Sequence, residues 1–185
     1  MAGKESFKYC ISTVPDAQVE KRYNEELVLR FFAFRNSGAS YKHEVGDFLT
    51  EFMEAASAPE GVPDDIFNKE RDETAFLKTF EVLQKASETV PDEVGNRVFG
   101  SVSFAGKIRG QFAVYHFEGF ALGIQPILDR LDPSNRRQMA RLGQRILEIK
   151  KDPRLRDHTG GGKNTASAYK ARLAFFTSEL SKILD

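Results

Sequence analysis

Apolar side chains recur with helical rather than strand spacing through most of this chain, and that periodicity constrains the fold more than any single motif. In HEVGDFLTEFMEAAS, Val45, Phe48, Leu49, Phe52, Met53 and Ala56 follow the i, i+3, i+4, i+7, i+8, i+11 series of a one-sided amphipathic helix. The segment from Asp72 to about Val90 puts Phe76, Leu77, Phe80 and Leu83 on one face. DPSNRRQMARLGQRILEIKKD carries the stripe Met139, Leu142, Ile146 and Ile149, and TASAYKARLAFFTSELSKIL carries Tyr169, Leu173, Phe176, Leu180 and Ile183. EELVLRFFAF is apolar on nearly every side, with Asn24 placed to cap it and two acids in its first turn to favour the helix dipole. From about Gln111 to Leu131 the chain reads as a central helix that Pro126 kinks or ends, with Gly119 and Gly123 allowing close approach by a neighbour. Together these segments predict an all-α fold: one compact domain over residues 1–185, of about six helices. Its one irregular insert is the glycine-rich VGNRVFGSVSFAGKIRG, and any strand is confined to about residues 97–110.

Sixteen Phe and no Trp predict a phenylalanine-rich core, because Phe has no polar edge that needs a partner. Cys10 is the single cysteine, which rules out an internal disulfide framework and a multi-cysteine zinc site and fits a reducing compartment. No run approaches 18 apolar residues, and MAGKESFKYC lacks the apolar centre of a signal peptide. The expectation is a soluble, cytoplasmic protein with no membrane partner.

A net charge of zero hides an asymmetry. Residues 1–100 carry 12 basic and 19 acidic side chains, whereas residues 101–185 carry 15 basic and 8 acidic. The span 130–172 alone holds 12 Lys or Arg against four Asp or Glu. Such polarity fits either a basic face for an anionic partner or two halves that attract each other. Arg137, Arg141 and Arg145 recur every four residues and form their own row beside the apolar stripe.

Catalytic signals are sparse. His43, His116 and His158 lie in three separate segments with no metal-binding spacing, so no metal and no cofactor are expected. His116 falls in the most apolar helix and reads as a satisfied core histidine, and Cys10 as an inert thiol. The acids of EELV and DETAF read as first turns of helices. TGGGKNT superficially suggests a phosphate-binding loop, but Lys163 precedes Asn164 rather than Ser or Thr, and a basic helix rather than a strand leads into it. What remains is an anion site in which Gly160, Gly161 and Gly162 let backbone approach a ligand and Asn164 or Thr165 caps the next helix. Lys163, Lys170 and Arg172 would add charge. The competing reading is a loop followed by an ordinary cap.

The ordered set YNEELVLRFFAF, VGDFLTEFM, TFEVL with VFGSVSF, a glycine-containing apolar helix, and TGGGKNTASAYKARL resembles the C-terminal helical portion of GmrSD-type proteins. This ParB-related family carries a DGQQR motif in its leading domain. The resemblance covers roughly residues 20–180 and is most specific at EELVLRFFAF. It implies a relation to nucleotide-dependent DNA endonucleases that restrict modified or foreign DNA, commonly in defence against phage. No DGQQR and no strand-rich ParB-like segment occurs in these residues, so the family's catalytic residues do not carry over. The parts that match are Arg30, in the LRF signature, and Gly160 to Thr165 with Arg172.

These readings lead to a non-catalytic helical domain that assists DNA binding or modification sensing. Arg137, Arg141, Arg145, Gly160, Gly161, Gly162, Lys163, Asn164, Lys170 and Arg172 are the expected phosphate contacts. Arg30 is expected to be structural, held by a carboxylate or a backbone carbonyl. The alternative is a protein-interaction module that docks a separately encoded nuclease or ParB-like subunit.

Overall fold

The computed structural model describes residues 1–42, 44–58, 61–159 and 165–184. It is mostly helical, at 67% helix, with a single two-stranded sheet among the described residues. In chain order the helices are α1 (Glu5–Cys10), α2 (Asp16–Val19), α3 (Tyr23–Ser37), α4 (Val45–Ala56) and α5 (Lys69–Ser87). Strands β1 (Gly100–Val102) and β2 (Ile108–Phe112) follow, then α6 (Val114–Gly123), α7 (Arg136–Lys151), α8 (Leu155–His158) and α9 (Ala166–Ser181). The helix count exceeds six because α1, α2 and α8, of four to six residues each, carry no periodic stripe to announce them.

Local chemistry sets several boundaries. Asn68, Asn135 and Thr165 each accept a backbone N–H in the first turn of α5, α7 and α9, respectively. The Asn68 cap starts α5 three residues before the Asp72 start read from the sequence. Asn24 does not cap α3: that helix begins at Tyr23, preceded by Arg22 in a left-handed conformation at φ 63°. β1 and β2 pair antiparallel, with Gly100 opposite Phe112 and Val102 opposite Ile108. That ladder takes up Gln111 and Phe112, so the helix read from Gln111 starts at Val114 instead. It ends at Gly123, and the chain continues as a 3-10 segment, Gln125–Arg130, with Pro126 in its first turn.

The core is aromatic. Phe7, Phe31, Phe76 and Phe80 stack edge to face or tilted at centroid separations of 4.6–5.7 Å. Phe99 and Phe117 extend the cluster toward the hairpin. Helix α6 lies at the centre, buried from His116 to Gly123, and packs along α9; α5 packs along α1 and α7. Gly119 is what permits the α6–α9 approach, because a Cβ there would stand 2.5 Å from the Phe176 ring. Gly123 is similarly tight, at 2.9 Å from the Phe176 Cβ. On α4 the stripe is buried at Phe48, Leu49 and Phe52, but Met53 at its edge is 46% exposed.

Candidate functional site

Three helices meet on one carboxylate. Glu118, the lone acid of the apolar segment that forms α6, accepts from Arg30 Nη1 on α3 at 2.8 Å and from Arg172 Nη2 on α9 at 2.5 Å. Each guanidinium takes a different carboxylate oxygen. Arg30 also donates to Glu26, one turn earlier on its own helix, at 3.0 Å. Two positive and two negative charges therefore balance around a group whose central side chains are only 5–11% exposed. Burial alone would lower the Arg30 pKa, but Glu118 and Glu26 outweigh it and hold the guanidinium above its ordinary value. Tyr169 packs beside the clasp, its hydroxyl buried without a hydrogen-bond partner among the described residues, and burial followed by the charge of Glu118 pushes its phenol up. A cavity of about 240 Å³ opens beside the group, lined by Tyr41, Tyr115 and Tyr169 along with the three charged side chains. The expected carboxylate partner of Arg30 is thus present. Both arginines of the family resemblance close on a residue that carried no motif.

The arginine row of α7 does not act as one face. Arg137 and Arg141 are exposed and form no ion pair among the described residues. Arg145 is turned inward: its Nε donates to the Glu179 carbonyl at 2.8 Å, and its guanidinium pairs with the carboxylates of Glu179 and Glu148. The acids that neutralise it come from the second half of the chain, not from the acidic first half. Four residues overshoot one helical turn by about 40°, so Arg145 is rotated about 80° from Arg137, toward α9.

Nor do the row and the start of α9 form a continuous strip. Arg145 meets Glu179, Arg154 lies over the Phe175 ring, and Arg172 reaches the His158 carbonyl, so α7 and α9 run antiparallel. Exposed Lys170 therefore lies roughly 25 Å from Arg137 along the helix axes at 1.5 Å per residue. Arg172 belongs to the Glu118 clasp, with a side chain only 7% exposed, and is not part of the basic surface. Gly160, Gly161, Gly162, Lys163 and Asn164 lie outside the described residues, as does His43. Thr165 does cap α9.

A second polar group is buried where α6, α7 and the hairpin meet. His116 Nδ1 lies 2.8 Å from the Gly100 carbonyl, and Lys150 Nζ donates to that same oxygen at 2.7 Å. The two nitrogens are 3.4 Å apart. His116 is core, as expected, yet its Nε2 has no partner among the described residues. Burial, with help from Lys150, holds its pKa well below the usual histidine range. Lys150 is 1% exposed, has no acidic partner among the described residues, and is pushed well below the usual lysine range by burial and by Arg97. Both side chains line a cavity of about 230 Å³ with Ser103, Tyr115, Lys151 and Arg156. In the sequence Lys150 is one of the 12 basic residues of the span 130–172, with no role of its own. The available signal was its place in the Leu142, Ile146, Lys150 row, which continues the buried stripe.

Cys10 is buried with its Sγ 3.7 Å from the Phe80 carbonyl, and burial pushes its thiol up, which fits an inert core thiol. Among the described residues, no group of three His, Cys, Asp or Glu side chains is placed to hold a metal ion, and no helix is long and apolar enough to cross a membrane. Comparison with family models, with curated proteins and with solved structures finds no match for this chain.

Proposed function

We propose that this chain is a helical module that contacts DNA phosphates through the N-terminal half of α7, assisting a modification-dependent restriction system of the GmrSD type in defence against phage. The observation that carries the reading is that Arg137 and Arg141, one turn apart, stand in solvent without an acidic partner among the described residues. Arg136 beside them is exposed as well. Free guanidiniums about 6 Å apart on one helix can follow successive phosphates. Such contacts position a module on a duplex but carry no base sequence, so recognition of sequence or modification would lie elsewhere in the assembly.

The experiment is a duplex-binding titration at two salt concentrations, comparing the wild type with Arg137→Ala/Arg141→Ala. The wild type should bind weakly, with a dissociation constant on the order of 10⁻⁴–10⁻⁶ M at physiological salt, and lose affinity steeply as salt rises. No binding at low salt, or equal binding by the double variant, would sink the reading.

A protein-docking role is the second reading, and one observation favours it. Phe104, at the turn of the hairpin, is 87% exposed, with Arg156 stacked on its ring at 4.4 Å. An aromatic anchor backed by an arginine is a common centre for a protein interface. A separately encoded nuclease subunit would be its partner, and Phe104→Ala would then abolish co-purification of the two.

A further inference from the structure

Lys150 is an unusual choice for the interior. A lysine without a carboxylate costs more to bury than the methionine or leucine that would fill the same space. Its aliphatic stem extends the buried stripe of α7, and its Nζ sits 5.5 Å from the centre of the Phe120 ring. The nitrogen is held by one backbone oxygen and by a histidine nitrogen, leaving it a lone pair to offer in an apolar surround. It also forms part of a cavity wall rather than sitting in closed packing. The rim of that cavity is basic. Lys151 and Arg156 line it, and Asp152, the one acid there among the described residues, is already held by Arg154 at 2.5 Å.

We propose that this cavity binds a small 2-oxo acid, which Lys150 captures through its carbonyl carbon as an imine. Desolvated lysines with neighbouring cations are the ones that form Schiff bases with carbonyl compounds. The Nζ lone pair bonds to the carbonyl carbon while the π pair moves to oxygen. The two hydrogens of the neutral amine then leave with that oxygen as water, and a C=N bond remains. His116 Nδ1, within 3.4 Å of Nζ, is the group placed to relay a proton between the nitrogen and the departing oxygen. The ligand's carboxylate faces Lys151 and Arg156. At about 230 Å³ the cavity is below the size of drug-sized pockets and suits a molecule of a few heavy atoms. This site shares no residue with the phosphate-contacting arginines of α7, so either proposal can fail without the other.

The test incubates the folded full chain with pyruvate and sodium cyanoborohydride, which reduces an imine to a stable secondary amine. Intact mass and peptide mapping then locate the adduct. The expected result is one adduct per chain, on Lys150, at a yield at least about tenfold above exposed Lys151 or Lys170, because a desolvated amine whose pKa is lowered by burial is unprotonated more of the time. Labelling that follows exposure and spares Lys150 overturns the proposal, as does no labelling at all. Lys150→Met should keep the helical circular dichroism and lose the adduct; an unchanged adduct in that variant also overturns it. If the variant does not fold, the wild-type peptide map decides alone.

Discussion

Arg30 and Glu118 form an ion pair of 2.8 Å across 88 residues of chain, and Arg172 closes the other side of the same carboxylate. The pair therefore fixes α3 against α6, and its extension fixes α9 to both. Buried clasps of this kind add little net stability over an apolar core, but removing one partner strands the others.

Glu118→Ala should accordingly cost about 3–5 kcal/mol, because two guanidiniums lose their buried anion. Replacing all three, as Arg30→Met/Glu118→Leu/Arg172→Met, should recover most of that loss. Urea unfolding of the three proteins, wild type, single variant and triple variant, measures both. A loss under about 1 kcal/mol for Glu118→Ala would mean that water reaches the clasp and the charges do not organise the helices.

Asp72 should govern part of the acid limb of stability. It is fully buried and accepts from Arg35, Asn36, Arg71 and the Asn68 backbone. Burial alone would raise its pKa, but these donors outweigh that and hold it below the ordinary aspartate value. A carboxyl with a depressed folded-state pKa stabilises the fold above its unfolded value, near 3.9, and loses that contribution as pH falls through the folded value. The wild type should therefore exceed Asp72→Asn in stability at neutral pH, with the gap closing below about pH 4. A gap that persists unchanged in acid would assign the effect to packing.

Lys150→Met should stabilise the protein, by the same reasoning applied to a base. Burial and Arg97 depress its folded-state pKa, and among the described residues no carboxylate stands beside it to compensate a charged Nζ. Between the folded and unfolded pKa values the unfolded chain binds the extra proton, so stability rises with pH across that window toward about pH 10. The methionine variant should melt higher at neutral pH and show less of this rise. A lower melting temperature would mean that the Nζ–Gly100 hydrogen bond outweighs the cost of burial.

Much of the scaffold was legible because the physics that builds it is local. Of the six helices of ten residues or more, α4, α5, α7 and α9 carry a 3.6-residue stripe while α3 and α6 are apolar on most sides, and the Gly119–Gly123 spacing announced the close packing that Phe176 now fills. The hairpin emerged within the glycine-rich insert, although two residues beyond its expected end. The site was less legible, because its partners are set by tertiary register. Glu118 could have been flagged as the one acid in an apolar run, but nothing local says that residues 30 and 172 converge on it. Lys150 was hidden by its basic neighbours, although its four-residue spacing from Ile146 put it on the buried face. Arg137, Arg141 and Arg145 look equivalent in sequence, and only the antiparallel lie of α9 separates them.

That separation can be read out in two independent measurements. Arg137→Ala/Arg141→Ala removes side chains that touch no acid among the described residues, so unfolding stability should stay within about 0.5 kcal/mol of the wild type. Arg145→Ala breaks contacts to Glu148 and to both the carbonyl and the carboxylate of Glu179. Glu179 is 4% exposed and retains Arg154 and Lys182, so the loss should be partial, on the order of 1–3 kcal/mol. Duplex binding should show the reverse order. Losing two phosphate contacts should flatten the plot of log affinity against log salt by about 1.8, whereas Arg145→Ala, which removes an inward-facing charge, should leave the slope near that of the wild type. If Arg145→Ala flattens the slope as much as the double variant, all three arginines face the duplex and the Arg145–Glu179 contact opens on binding.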